Sequence, residues 1–110
     1  MIYLASPYSG GDMEKRFEDT QMACATLMKK GIKVFSPVVY GHPMAVKFGL
    51  PKDVSFWKEF NDFFLLSCEE LWVLKLEGWQ KSEGVMHEIH VANKAEMEIR
   101  YLTLEECIEL

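Results

Sequence analysis

The sequence predicts an α/β fold: a small Rossmann- or flavodoxin-like three-layer sandwich with a parallel sheet of four to five strands, formed by residues 1–110 as one domain. Two observations carry this. Short apolar runs alternate with segments of helical composition along the whole chain, an order that calls for right-handed crossovers between parallel strands. One run, Leu71 to Leu76, is nearly continuously apolar, as a strand covered on both faces has to be. A length of 110 residues suits a single core, and no repeat, linker or low-complexity tract divides it.

Taken in order, residues 2 to 6 form the first strand, ended by Pro7. Residues 12 to 30 have helical composition, with Asp12 as N-cap and Gly31 as terminator. Ile32 to Ser36 reads as a second strand stopped by Pro37. Pro37 to Lys52, punctuated by proline and glycine, reads as a loop, and a length beyond about 12 to 15 residues is itself a pointer to function. Asp53 caps a helix running to Ser67, Leu71 to Leu76 is the third strand, and Ser82 opens a helix reaching about Ala95. Glu98 to Leu102 is a fourth strand, and Thr103-Leu104-Glu105-Glu106 is a capping-box sequence for a last helical turn. Ligands of such sheets sit at the carboxyl ends of the strands. Ser6 to Gly11, Pro37 to Pro51 and Leu76 to Gly84 are therefore expected to meet there.

Hydrophobic residues make up 49% and charged residues 26%, enough apolar material for one packed core. A net charge of −5 argues against a nucleic-acid partner, which calls for a basic face, while leaving room for a small anionic substrate. Cys24, Cys68 and Cys107 are odd in number and form no CxxC pair, which fits a reducing compartment. The opening Met1-Ile2-Tyr3-Leu4-Ala5-Ser6 has no basic leader and reads as a strand, and no run reaches the roughly 20 apolar residues of a membrane span. A cytoplasmic protein with no membrane partner is expected.

The chemistry centres on Ser82-Glu83-Gly84-Val85-Met86-His87-Glu88. Ser82 is the expected N-cap, and the free N–H groups around Gly84 suit an anion. Val85, Ile89 and Ala92 form the buried stripe of this helix, and Glu88, three residues after Val85, is drawn toward the core. Charged groups seldom go there without a partner or a task. Position alone equally fits a Glu88 at the stripe edge that reaches solvent or pairs with Lys81 or Lys94. Asp62 falls roughly opposite the aromatic stripe Trp57, Phe60, Phe63 and Phe64, so periodicity makes it a solvated carboxylate and the stripe core. Tyr3 fits a core phenol as well as a site hydroxyl.

His87 and His90 lack HExxH spacing, so no metal is expected, and His42, in the long loop, either contacts a ligand or faces solvent. The polar turn Ser6-Pro7-Tyr8-Ser9-Gly10-Gly11 has neither dinucleotide nor Walker spacing, and no cofactor is expected. Its place at a strand's carboxyl end is what makes Ser6, Tyr8, Ser9 and Gly10 candidate binding residues.

Together these segments resemble the nucleoside 2-deoxyribosyltransferase-like superfamily, including its 2′-deoxynucleoside 5′-monophosphate N-hydrolase branch. Ile2-Tyr3-Leu4-Ala5-Ser6 resembles the family's opening strand with its site tyrosine and phosphate-side serine. Asp62, eight residues before Glu70, is similar in placement to its helper aspartate, and Ser82-x-Gly84-x-x-x-Glu88 resembles the signature that holds its nucleophilic glutamate. The resemblance implies that Glu88 attacks the anomeric carbon, that Tyr3 positions it, and that Asp62 assists proton transfer to the base. It also implies that Ser6, Ser82 and Gly84 receive the 5′ end of a nucleotide.

Where the family has an arginine, two residues after the opening serine, this chain has Tyr8, and a phenol is no bidentate phosphate clamp. A modest preference for the 5′-monophosphate over the free nucleoside is expected, with Lys15 and Arg16 read as surface charges near enough to reach back. The first reading is hydrolysis that releases free base. Base exchange by a deoxyribosyltransferase and a non-catalytic nucleotide-binding module are the alternatives. The resemblance further implies a homodimer or larger homo-oligomer, in keeping with the aromatic surface of Trp57, Phe60, Phe63, Phe64 and Trp79.

Overall fold

Alternating side chains on two adjacent strands set the layers. The computed structural model describes residues 1–110, and β1, Ile2–Ala5, pairs in parallel with β3, Glu70–Leu74. Tyr3, Ala5, Leu71 and Val73 point to one face of the sheet, and Leu4, Trp72 and Leu74 to the other. On the first face they pack with Leu65 of α3, Val54–Leu66, and with Val85 and Ala92 of α4, Glu83–Lys94. On the second they meet Ala23, Cys24 and Leu27 of α1, Met13–Lys29, and Cys107 of α5, Leu104–Glu109. The edges are β2, Val34–Phe35, and β4, Glu98–Leu102, giving an all-parallel sheet of order β2-β1-β3-β4. This is the three-layer α/β sandwich expected from sequence, with four strands.

The connection reverses direction across the sheet between β1 and β3, so a crevice opens at the carboxyl ends of those two strands. Helix starts are set as the residues predict. Asp12 accepts from Lys15 N at 3.0 Å, Ser82 accepts from Val85 N at 3.2 Å, and Thr103 and Glu106 close a reciprocal capping box. Asp53 sits at the N-cap of α3, but its carboxylate is taken by Ser55 Oγ instead of the helix backbone.

The segment expected to be a loop is a helix. Residues 37 to 48 form α2, Pro37–Phe48. Pro37 costs nothing at the first position, Ser36 caps Val39 N at 3.1 Å, and left-handed Gly49 closes the end with its N–H on Ala45. Pro43 inside the helix forgoes one backbone bond, and burial of Val38, Gly41, His42 and Ala45 on one face outweighs that loss. The aromatic stripe of α3 is also not a core. Phe63 is 71% exposed, and Trp57, Phe60 and Phe64 are half-buried in a rim where Phe64 stacks on Phe35 and Phe60 on Tyr40. Strand β2 is shorter than expected because only Val34 and Phe35 pair with β1. No helix is long and apolar enough to cross a membrane.

Candidate active site

A cavity of about 400 Å³ occupies the crevice beyond β1 and β3. That volume suits a ligand of nucleoside size. Its walls come from the turn after β1, from α2 and α3, and from the first two turns of α4. Ser6, Tyr8, Ser9, Gly10, His42, Ser82, Gly84 and Glu88 all line it. Tyr3 and Asp62 do not line the cavity; each stands behind a residue that does.

Glu88 is 6% exposed, and its carboxylate takes the hydroxyl proton of Tyr3, which is fully buried on β1. The helical stripe left two positions for Glu88 open, and the structure has the inward one: neither Lys81 nor Lys94 pairs with it, and the residue is buried. Burial pushes the Glu88 carboxyl up to about 8, opposed by the Tyr3 hydrogen bond and reinforced by the nearby Asp62 charge. Burial, then the Glu88 charge, holds the Tyr3 phenol well above its ordinary value, so Tyr3 stays a donor.

Asp62 departs from its expected solvated position. It is 26% exposed at the side chain, and both its oxygens meet His87 Nε2, at 2.9 and 3.0 Å. The carboxylate only accepts, so Nε2 carries a proton and Nδ1 is the nitrogen left for exchange with a ligand. His87, which sequence spacing set aside, lines the cavity between Gly84 and Glu88 in chain order. Only the packing of α3 on α4 brings Asp62 to it, and no spacing within either helix signals that contact. Asn61 was missed too. It lines the cavity, and its buried Oδ1 has no donor.

Around the β1 turn, His42 is buried instead of lying in a loop, and it bridges two elements. Tyr8 Oη is 2.7 Å from Nδ1, and Glu14 of α1 is 2.9 Å from Nε2. Burial, then the Glu14 charge, raises the Tyr8 phenol. Arg16 does not reach the cavity; its guanidinium donates to the carbonyls of Tyr8, Ser9, Gly10 and Glu77 at 2.7 to 3.3 Å. It thereby ties the turn after β1 to the turn after β3. Gly78 suits that turn because its φ of +87° strains any other residue. Lys15 pairs with Asp19 on the surface at 2.9 Å. Gly84 makes no such demand: a Cβ there would meet only Val54, at an ordinary 3.6 Å.

The arrangement joins a buried carboxylate, a phenol donor behind it and an imidazole held by a second carboxylate, all at one cavity. Such a set can attack an electrophilic carbon and move a proton to a departing group. No curated protein matches the chain. A family model, described as Domain of unknown function (DUF1937), matches residues 1–103, and the chain belongs to that family.

Proposed function

We propose that the protein is an N-glycoside hydrolase of the nucleoside 2-deoxyribosyltransferase-like kind, releasing the base from a deoxynucleoside or its 5′-monophosphate. One observation carries this reading: Glu88 is a buried carboxylate on the cavity wall whose partner is a neutral phenol, Tyr3. Such a group is poorly solvated and poised toward a cationic centre, which is what an anomeric carbon becomes as its base departs.

In the first step a Glu88 oxygen bonds to the anomeric carbon as the carbon–nitrogen bond breaks, and the bond's electron pair leaves with the base. His87, carrying a proton on Nδ1 as well as on Nε2, gives the Nδ1 proton to the base, and Asp62 holds the imidazolium through Nε2. Water then attacks the same carbon, the ester bond breaks, and Glu88 recovers its carboxylate while one proton of the water returns to His87. The sum is substrate plus water giving sugar plus free base. A 2′-hydroxyl withdraws electrons from the developing cation, so 2′-deoxy substrates should outrun ribo ones.

The test is a panel of deoxynucleosides and their monophosphates, with free base resolved by chromatography. Base release from at least one member is expected, and none from any member overturns the reading. Exposed Phe48, Phe63 and Leu66 support a homo-oligomer. A monomer in light scattering at micromolar concentration overturns that part.

A further inference from the structure

We infer that Asn61 reads the leaving base, its amide accepting an N–H from the base edge and donating to the acceptor beside it. This rests on the nucleoside reading above and adds a specificity-determining residue to it.

The side-chain oxygen of Asn61 is closed off from solvent, and no protein group donates to it. Buried polar atoms of folded proteins nearly all have a partner, so an orphan beside a cavity points to a ligand that supplies one. The nearby donors are already engaged. Trp57 Nε1, one turn earlier on α3, donates to the Pro51 carbonyl at 2.7 Å. The Nε2 proton of His87 lies against both oxygens of Asp62, at 2.9 and 3.0 Å.

Position identifies the part of the ligand. Val54, Trp57, Lys58 and Asn61 line the cavity at spacings of i, i+3, i+4 and i+7, which is one face of α3. Asn61 is followed by Asp62, which holds His87, and His87 lines the cavity one residue before Glu88. With the anomeric carbon on Glu88 and the departing base at His87, the neighbour that Asn61 meets is the base.

Chemistry identifies the edge. On this face Val54 has no polar side-chain atom, the Trp57 N–H is taken, and Lys58 only donates. Asn61 alone can accept and donate together. Adenine and cytosine present an amino N–H beside a ring nitrogen, and guanine and thymine a ring N–H beside a carbonyl. An amide matches either kind by turning end for end. A purine or pyrimidinone ring stripped of its amino group offers acceptors alone, and the Asn61 oxygen then stays without a donor.

Calorimetry on Glu88→Gln protein tests this, since binding there does not depend on how well a base departs. Two pairs are compared: deoxyadenosine with the deoxynucleoside of unsubstituted purine, and deoxycytidine with its analogue lacking the amino group. In at least one pair the amino compound is expected to bind at least about tenfold more tightly. Adding Asn61→Leu, which keeps the volume and removes both polar atoms, should bring that ratio to within about twofold of one. A merely structural role would weaken both members alike and keep the ratio, and that result overturns the inference. If the double variant does not fold, the ratios with Asn61 intact decide: values near one in both pairs overturn it.

Base release with no such preference overturns the inference and leaves the hydrolase standing. The preference without base release from any nucleoside overturns the hydrolase and leaves Asn61 as the base reader. Absence of binding by all four compounds overturns both.

Discussion

Two tyrosines of the β1 region meet carboxylates, and they do so in opposite ways. Tyr3 reaches Glu88 directly, with both groups buried beneath the cavity. Tyr8 reaches Glu14 through His42, and that chain ends on a carboxylate that is 65% exposed. The first pair keeps its charge away from water and holds the Glu88 carboxyl near 8. The second lets its charge rest in solvent. Similar side-chain types thus hold a carboxyl raised in its pKa where water is excluded and a solvated one where it is not.

The largest expected effect comes from removing the buried charge. Glu88→Gln keeps the shape but cannot form a sugar ester, so turnover should fall below about a hundredth of wild type. A higher residual rate would remove Glu88 from the nucleophile's role. The same variant should gain stability at alkaline pH. With the carboxyl at about 8 in the folded protein and ~4.3 when unfolded, the native state holds the extra proton between those values. Stability of the wild type therefore declines as pH rises through that window, by several kcal/mol at most, and the decline ends above about 8. Melting curves of the two proteins should diverge between pH 5 and 9 and coincide near pH 4; parallel curves would refute the buried charge.

Next in size is the pH profile of catalysis. A nucleophile must be ionised, so kcat/KM should show a rising limb with its midpoint near 8. A limb near the ordinary carboxylate value would mean that Glu88 is not the titrating group.

Smaller again is the imidazole. His87→Gln should cost about a hundredfold with bases that need a proton to depart, and much less with a base that leaves as a stable anion. Equal losses on both kinds of substrate would make His87 a structural partner of Asp62.

The smallest effect marks the side of the sheet away from these pairs. Thr103→Ala removes the cap of α5 and should cost about 1 kcal/mol in chemical denaturation. Turnover should be unchanged, and a drop would show that the two faces are coupled.

Much is legible in the sequence. The three-layer sandwich and the caps Asp12, Ser82 and Thr103 follow from local rules, apolar period and N-cap chemistry, and a spacing of three residues from Val85 narrowed Glu88 to the buried stripe or its edge. Those rules act within one helix or strand, so one segment contains the information. Three features needed the tertiary structure. Helix α2 looked like a loop because Pro37, Gly41 and Pro43 are local breakers, and only burial against neighbouring elements outweighs them. Asp62 looked solvated and His87 idle because their contact spans 25 residues and two helices. The turn carrying Ser6, Tyr8 and Ser9 gave no sign of its partners, because Thr20, His42 and Lys52 reach it from three other parts of the chain. Sequence determines which groups a turn carries; the direction in which each proton points is decided by neighbours that only folding supplies.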